Sequence, residues 1–286
     1  MNYKLKKKRI RERTWRLIYL ISAVLLAILL VVMGALLVGT MGSNGENRPF
    51  YADVHYPSLN ILLIVDSEVD GRLDSAVMMR LDVNLGEIIV TALDVDLQVE
   101  IGGRNGNLRQ HYSYGTEVFL KSAVAELLEI EVDRYAVINR QVFSTMVDNF
   151  GGVVFNVAQD LEINVLDGLP IIIDGGISTL TGAQAFSVLN FANWDDESAL
   201  EMQEILIASI VNARLTEHNL GRSAANFNVF VNGARSNISA MDSVRYLPFL
   251  EYLTENERGA RALPLVIEDG AITARSLNDF RAIFAD

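Results

Sequence analysis

The chain has 286 residues, half of them hydrophobic, with a formal net charge of −12, which supplies enough apolar side chain for a sizeable core and excludes a wholly disordered polymer. It has no cysteine, so disulfide frameworks and thiol chemistry are excluded. Its three histidines, His55, His111 and His218, are scattered and lack the spacing of zinc ligands.

Charge is distributed unevenly along the chain. Residues 1–16 hold eight cations (Lys4, Lys6, Lys7, Lys8, Arg9, Arg11, Arg13 and Arg16) against the single Glu12. The remainder has 16 cations against 35 acids, about −19. Leu17–Gly39 then runs 23 residues without a charge. At ~1.5 Å per residue it reaches roughly 34 Å, enough to cross a hydrocarbon layer of ~30 Å. A cleaved signal peptide would have a shorter apolar core and a small-x-small cleavage site, which "VGTMG" does not provide. The segment therefore reads as a retained transmembrane anchor, with the basic residues 1–16 cytoplasmic and the rest outside. Placed against a span, that basic cluster sets topology, and no nucleic-acid partner is expected. Thr40–Pro49, "TMGSNGENRP", opens a flexible linker over 40–57, and the extracytoplasmic domain is expected over 58–286.

From there strand and helix patterns alternate. Strands are expected at Asn60–Asp66, Ser75–Val83, Glu87–Leu93, Tyr135–Asn139, Val153–Val157, Leu169–Ile173, Asn226–Val231 and Ala262–Ile267, each short, rich in Val, Ile or Leu and closed by turn residues. Helices are expected at Thr116–Leu128, Gln141–Phe150 with Gly151 and Gly152 as its stop, Gly182–Ala192, Ser198–Leu215, Asp242–Leu253 and Leu277–Phe284. The mingled order points to one mixed α/β (α+β) domain with a central mixed sheet flanked by helices. In Ser198–Leu215, Ala199, Met202, Leu206, Ile210 and Ala213 form an apolar stripe, which sends Glu197, Glu201 and Glu204 towards a solvated face.

Several segments, in order, resemble the extracytoplasmic domain of the LytR-CpsA-Psr family of cell-envelope proteins. They are "NILLIVDS" followed by "GRLDSAVMM", then "NLRQHYSYG", "FSTMVDNFGGVVFNV", "LTGAQAFSVLNF" and "RALPLVIEDGAITARSLNDFRAIF". Each is weak alone; their order behind a single span is the specific feature. The resemblance implies a domain that takes a polyprenyl (pyro)phosphate in an apolar cleft and transfers a phosphate-linked glycopolymer to peptidoglycan, using Mg²⁺ and arginines. Pyrophosphate asks for forked N–H donors and a hard cation on oxygen ligands. The family name carries an older association with transcriptional attenuation, yet no stretch resembles a DNA-reading module.

By that resemblance, Arg72 and Asp74 fall on the family's Arg-x-Asp pair and are the expected catalytic residues, with Asp74 and Asp96 on the metal. Asp66, Asp96, Arg109 and Gln203 are the expected substrate-binding residues, Arg109 standing where the family has the asparagine of Lys-Ile-Asn. The departures are large. Val95, Asn190, Ala192, Ser198 and Glu201 stand where the family has arginines. At roughly 1.5–3 kcal/mol per arginine–phosphate contact, five losses forfeit about 7 kcal/mol or more. Arg80, Arg104 and Arg109 are the available relocated cations, and Asp66, Asp74, Asp94, Asp96 and Asp195 a possible second cation cluster. Two functions follow: an active transferase with relocated cations, or a catalytically degenerate binding, scaffolding or regulatory subunit. The acidic outer domain also favours cationic envelope proteins as partners. Met78, Phe119, Val124, Met146, Phe186 and Phe249 are expected either to line a lipid cleft or to fill the core, the core being the commoner fate of such residues.

Overall fold

The computed structural model describes residues 57–67, 71–163, 170–190 and 196–285. The basic segment, the apolar span, nearly all of the linker, and Asp195 lie outside them. Among the described residues no helix is long and apolar enough to cross a membrane.

Among the described residues the central sheet has six strands. In sequence order they are β1 (Leu59–Asp66), β2 (Leu73–Asp82), β3 (Glu87–Leu93), β6 (Arg134–Ile138), β11 (Arg235–Ser236) and β12 (Ala260–Ala262). Across the sheet the order is β11-β6-β1-β2-β3-β12. β1, β2 and β3 form an antiparallel meander, while β6 runs parallel to β1 and β12 parallel to β3, so the sheet is mixed. Successive side chains of a strand point to opposite faces, and both faces are buried here. Ile61 and Val65 of β1 enter one core, Leu62 and Ile64 the other. That is why these strands read as unbroken apolar runs instead of alternating ones.

Helix α1 (Leu108–Leu128) and helix α8 (Ala274–Phe284) cover the second face. The first is covered by α2 (Arg140–Asn149), α3 (Gly182–Leu189), α4 (Asp196–Arg214) and α7 (Ala240–Glu255). Small two-stranded ladders pair β4 (Gln98–Ile101) with β5 (Arg104–Asn107), β7 (Val153–Val157) with β10 (Gly176–Leu180), β8 (Leu161–Ile163) with β9 (Ile171–Ile173), and β13 (Ile267–Glu268) with β14 (Ala271–Ile272). Two further helices, α5 (Glu217–Gly221) and α6 (Ser223–Gly233), lead into β11.

Two sequence expectations are overturned. Asn226–Val231 is not a strand but the middle of α6. β11 already occupies the edge of β6, and a helical turn lets Phe227 and Phe230 lie together, ring centroids 6.2 Å apart, with Phe230 packed on the core. Ala262–Ile267 is not one strand either: it pairs only at its ends, in β12 and β13, with Pro264 between them. Proline has no N–H for a ladder. α1 starts eight residues earlier than expected, at Leu108, and is broken at Gly115–Thr116, where Thr116 takes φ 59. Met78, Val124 and Phe249 are all core residues.

The motif "LTGAQAF" has a structural explanation. A Cβ on Gly182 would stand 2.1 Å from the Ser144 carbonyl oxygen, so α2 and α3 pack closely only over glycine. Thr181 and Gln184 close a reciprocal capping box at the start of α3.

Ser239 and Asp242 form the same device at the start of α7. Asp242 also accepts from Arg134 Nε and Nη2, both at 3.0 Å. The hydrogen bond from Arg134 holds the Asp242 carboxyl well below the usual carboxylate range. A depressed carboxylate contributes stability above its unfolded pKa and loses it as pH falls towards the folded one. Asp242→Ala is expected to lower the unfolding free energy by about 2–3 kcal/mol near pH 7, the sum of a cap and a charged hydrogen bond. In urea titrations the deficit against wild type should shrink in strong acid.

Candidate functional site

β1 and β6 run parallel and end on the same side of the sheet, where Val65 is level with Ile138. Ligands of open sheets containing parallel strands collect at such carboxyl ends. β2 begins there, because it is antiparallel to β1, and Asp66 pairs with Leu73 across a register shift. That last rung gathers most of the residues that the sequence singles out.

From α1, Arg109 Nη1 donates to the Leu73 carbonyl at 2.7 Å, and its Nη2 stands 3.6 Å from Asp96 Oδ2. Asp96 also accepts from Asn107 Nδ2 at 2.9 Å. Arg72 and Asp74, just outside the rung, form a looser pair at 3.7 Å, with the arginine side chain 60% exposed and the aspartate 23%. On the opposite face of β2, Ser75 Oγ donates to Asn190 Oδ1 at 3.3 Å, which places the end of α3 directly over the start of β2. Gln203 Nε2 reaches back to the Leu189 carbonyl at 3.4 Å, so it ties α4 to α3.

The buried Asp66 carboxylate accepts from the Tyr112 hydroxyl at 3.1 Å and from Arg235 Nη2 at 3.0 Å. Burial, reinforced by the Asp66 charge, raises the Tyr112 phenol well above its ordinary value, so it stays a neutral donor. The sequence gives no hint of Arg235. It lies 169 residues from Asp66 and is delivered by a strand two residues long.

Other expected cations do not belong to the site. Arg80 is buried, paired with Asp82 at 2.9 Å and bonded to Asn60 and the Phe284 carbonyl; it is structural. Arg104 lies 5.3 Å from the Tyr114 ring centroid. Val95, where the resemblance sets an arginine, is buried in the α1-side core. Among the described residues no group of three or more His, Asp or Glu is arranged to hold a metal ion. The carboxylates are matched instead by guanidinium groups: Asp66 by Arg235, Asp74 by Arg72 and Asp96 by Arg109.

Glu204 corrects the reading of α4. It is 2% exposed, accepts from the Ala92 N–H of β3 at 3.0 Å, and burial pushes its carboxyl up to about 7. A second apolar stripe, Leu200, Ile207, Ala208 and Val211, carries Glu204 inwards with it.

The sequence pattern of the LytR_cpsA_psr family matches residues 44–257. The chain belongs to the LytR-CpsA-Psr family. Over 217 residues it is 24% identical to the polyisoprenyl-teichoic acid–peptidoglycan teichoic acid transferase TagU of Oceanobacillus iheyensis, covering 71% of this chain and 64% of that one. The chain thus spans just under two thirds of that relative's length. Among solved structures, Bacillus subtilis TagV superposes with a TM-score of 0.65 at 16% identity, covering 80% of this chain and 96% of that one. A Streptococcus agalactiae protein superposes with a TM-score of 0.67 at 18% identity, covering 84% and 91%. These likenesses establish the mixed α/β LytR-CpsA-Psr fold, with its central mixed sheet flanked by helices.

Proposed function

We propose that this domain takes a polyprenyl-(pyro)phosphate-linked envelope glycopolymer at the Asp66–Leu73 rung and transfers it to peptidoglycan, held at the outer membrane surface by the apolar segment Leu17–Gly39. The observation that carries this reading is the meeting of Arg72, Asp74 and Arg109 around the Asp66–Leu73 rung of the ladder. The start of β2 and the start of α1 put two cations and a partly exposed carboxylate at this end of the sheet, and two relatives of the chain are named as transferases of such polymers. Asp74 is a suitable single ligand for Mg²⁺, since a hard cation takes one or two carboxylates and draws its other oxygens from substrate phosphates. Bound there, it would neutralise charge developing on the transferring phosphate. Arg72 and Arg109 donate to phosphate oxygens, and the second substrate is the peptidoglycan acceptor.

A second reading, a scaffold without turnover, is favoured by Asn190 and Val95. Asn190 bonds Ser75 and the Phe186 carbonyl, and Val95 is core, so two arginine positions of the family offer no cation. The two readings part on one measurement. The full-length chain in detergent, with Mg²⁺ and a polyprenyl diphosphate-linked glycan, is expected to release polyprenyl phosphate slowly, and Asp74→Ala to cut that rate by about 100-fold or more. Wild-type turnover no faster than that of Asp74→Ala would leave the scaffold.

A further inference from the structure

The β4–β5 ladder leads away from the Asp66–Leu73 rung, and its root is tied to that rung. Arg109, which bonds the Leu73 carbonyl, stands against Asp96. Asp96 in turn accepts from Asn107 Nδ2 on its carboxylate at 2.9 Å and from Gln98 Nε2 on its carbonyl at 3.3 Å. Gln98 and Asn107 form one cross-strand pair of the ladder, and Glu100 and Asn105 the next pair on the same face. A line of planar polar groups therefore runs outward from the rung.

The opposite face of the ladder is fastened to α1. Val99 is buried, and its carbonyl accepts from Nε2 of His111 at 2.9 Å, a fully buried ring stacked on Phe119. The Leu97 and Val95 carbonyls accept from the Leu108 and Arg109 N–H groups. The backbone beneath the outer face is thus already ordered, and a ligand bound there does not bear that entropy cost.

β5 reads Arg104-Asn105-Gly106-Asn107, although asparagine and glycine are both depleted in strands. Two of these three departures have a local reason. A Cβ on Gly106 would stand 2.9 Å from Gln110 Oε1, and Asn107 caps α1. Asn105 has neither duty. It faces Glu100 across the ladder, both side chains exposed and without a side-chain hydrogen bond or ion pair among the described residues. A break with local preference that brings no packing is expected where a surface binds something.

The chemistry of that pair selects the ligand. Neighbouring hydroxyls of a sugar each donate and accept; a carboxylate takes two donated protons, and a carboxamide about 5 Å away between Cβ atoms both gives and accepts. A phosphodiester only accepts, so Glu100 repels it at contact. No cation on the outer face offsets this, because Arg104 pairs with Ile101 on the inner side and lies over the Tyr114 ring. We propose that the outer face of the β4–β5 ladder, Glu100 and Asn105 with Gln98 and Asn107, binds neutral pyranose units of a glycan and rejects a polymer of repeating phosphates. This rests on the reading of the rung as the place of transfer and deepens it, with the sugars nearest the transferred phosphate lying along the ladder.

The test is calorimetric titration of the full-length chain in detergent with chitotetraose, a neutral tetrasaccharide, and with a glycerol phosphate oligomer of similar length. Wild type is expected to bind the tetrasaccharide equally in Mg²⁺ and in EDTA, and the phosphate oligomer at least about tenfold more weakly. Glu100→Ala and Asn105→Ala, both at exposed positions, should each weaken the tetrasaccharide about fivefold or more at an unchanged melting temperature. Glu100→Lys should narrow the preference against the phosphate oligomer. Tetrasaccharide binding that is absent in wild type, or untouched in the Glu100→Ala, Asn105→Ala double variant, overturns the proposal, as does equal affinity for the phosphate oligomer. The transfer reading fails separately: absence of Asp74-dependent turnover with intact tetrasaccharide binding would remove it and leave this face standing.

Discussion

Arg80→Met is expected to cost about 3–5 kcal/mol of folding free energy, read as a lower urea midpoint with an unchanged slope, because it leaves a buried carboxylate without its cation. The Arg80 and Asp82 side chains are only 4% and 5% exposed. Arg80 Nε donates to Asp82 Oδ2 at 2.9 Å, and Nη1 to Asn60 Oδ1 at 3.0 Å and to the Phe284 carbonyl at 3.2 Å. Asn60 in turn donates to the same Phe284 carbonyl and to that of Glu131. The network thus fastens the end of α8 and the turn before β6 to the central strands. Adding Asp82→Leu should return part of the loss, since no charge is then stranded. The recovery is partial because Asp82 Oδ1 also accepts from the Leu85 N–H at 2.8 Å. A loss below about 1 kcal/mol for Arg80→Met would mean that water reaches this network and that it does not fasten α8.

Glu204→Gln is expected to stabilise the protein by up to about 3 kcal/mol at pH 8 and by little near pH 4.5. Burial lifts the Glu204 carboxyl from its ordinary 4.5 to about 7. Between those values the folded state holds a proton that the unfolded state has released, so stability falls as pH rises through that window and levels off above it. Glutamine keeps an acceptor for the Ala92 N–H and carries no charge to desolvate. Melting temperatures of the two proteins should converge in mild acid and separate above neutrality. A constant difference from pH 5 to pH 8 would show that Glu204 titrates normally, with solvent reaching it.

Much of the fold can be read directly from the residues. β1 to β3 are apolar runs with turn residues between them, and α2, α7 and α8 carry their apolar spacing and their caps locally, as Asn139, Ser239 and Thr273 do. Such features depend on neighbours a few residues away, which the sequence displays. α6 reads wrongly for the opposite reason. "NFNVFV" alternates like a strand, and only the occupied edge of β6 and the packing of Phe230 make it a helix.

The site divides along the same line. Arg72, Asp74 and Arg109 could be picked out because they sit in the stretches that resemble the family, and the same resemblance sets arginines where Val95, Asn190, Ala192, Ser198 and Glu201 stand. The partners of what remains could not be read that way. Sequence alone determined a charged, cysteine-free chain with a strand-and-helix domain of this family. Tertiary structure decided that Arg80 is buried, that Arg235 pairs with Asp66, and that Glu204 points inwards. Burial and pairing are set by whatever packs opposite a side chain, and here that neighbour comes from far along the chain.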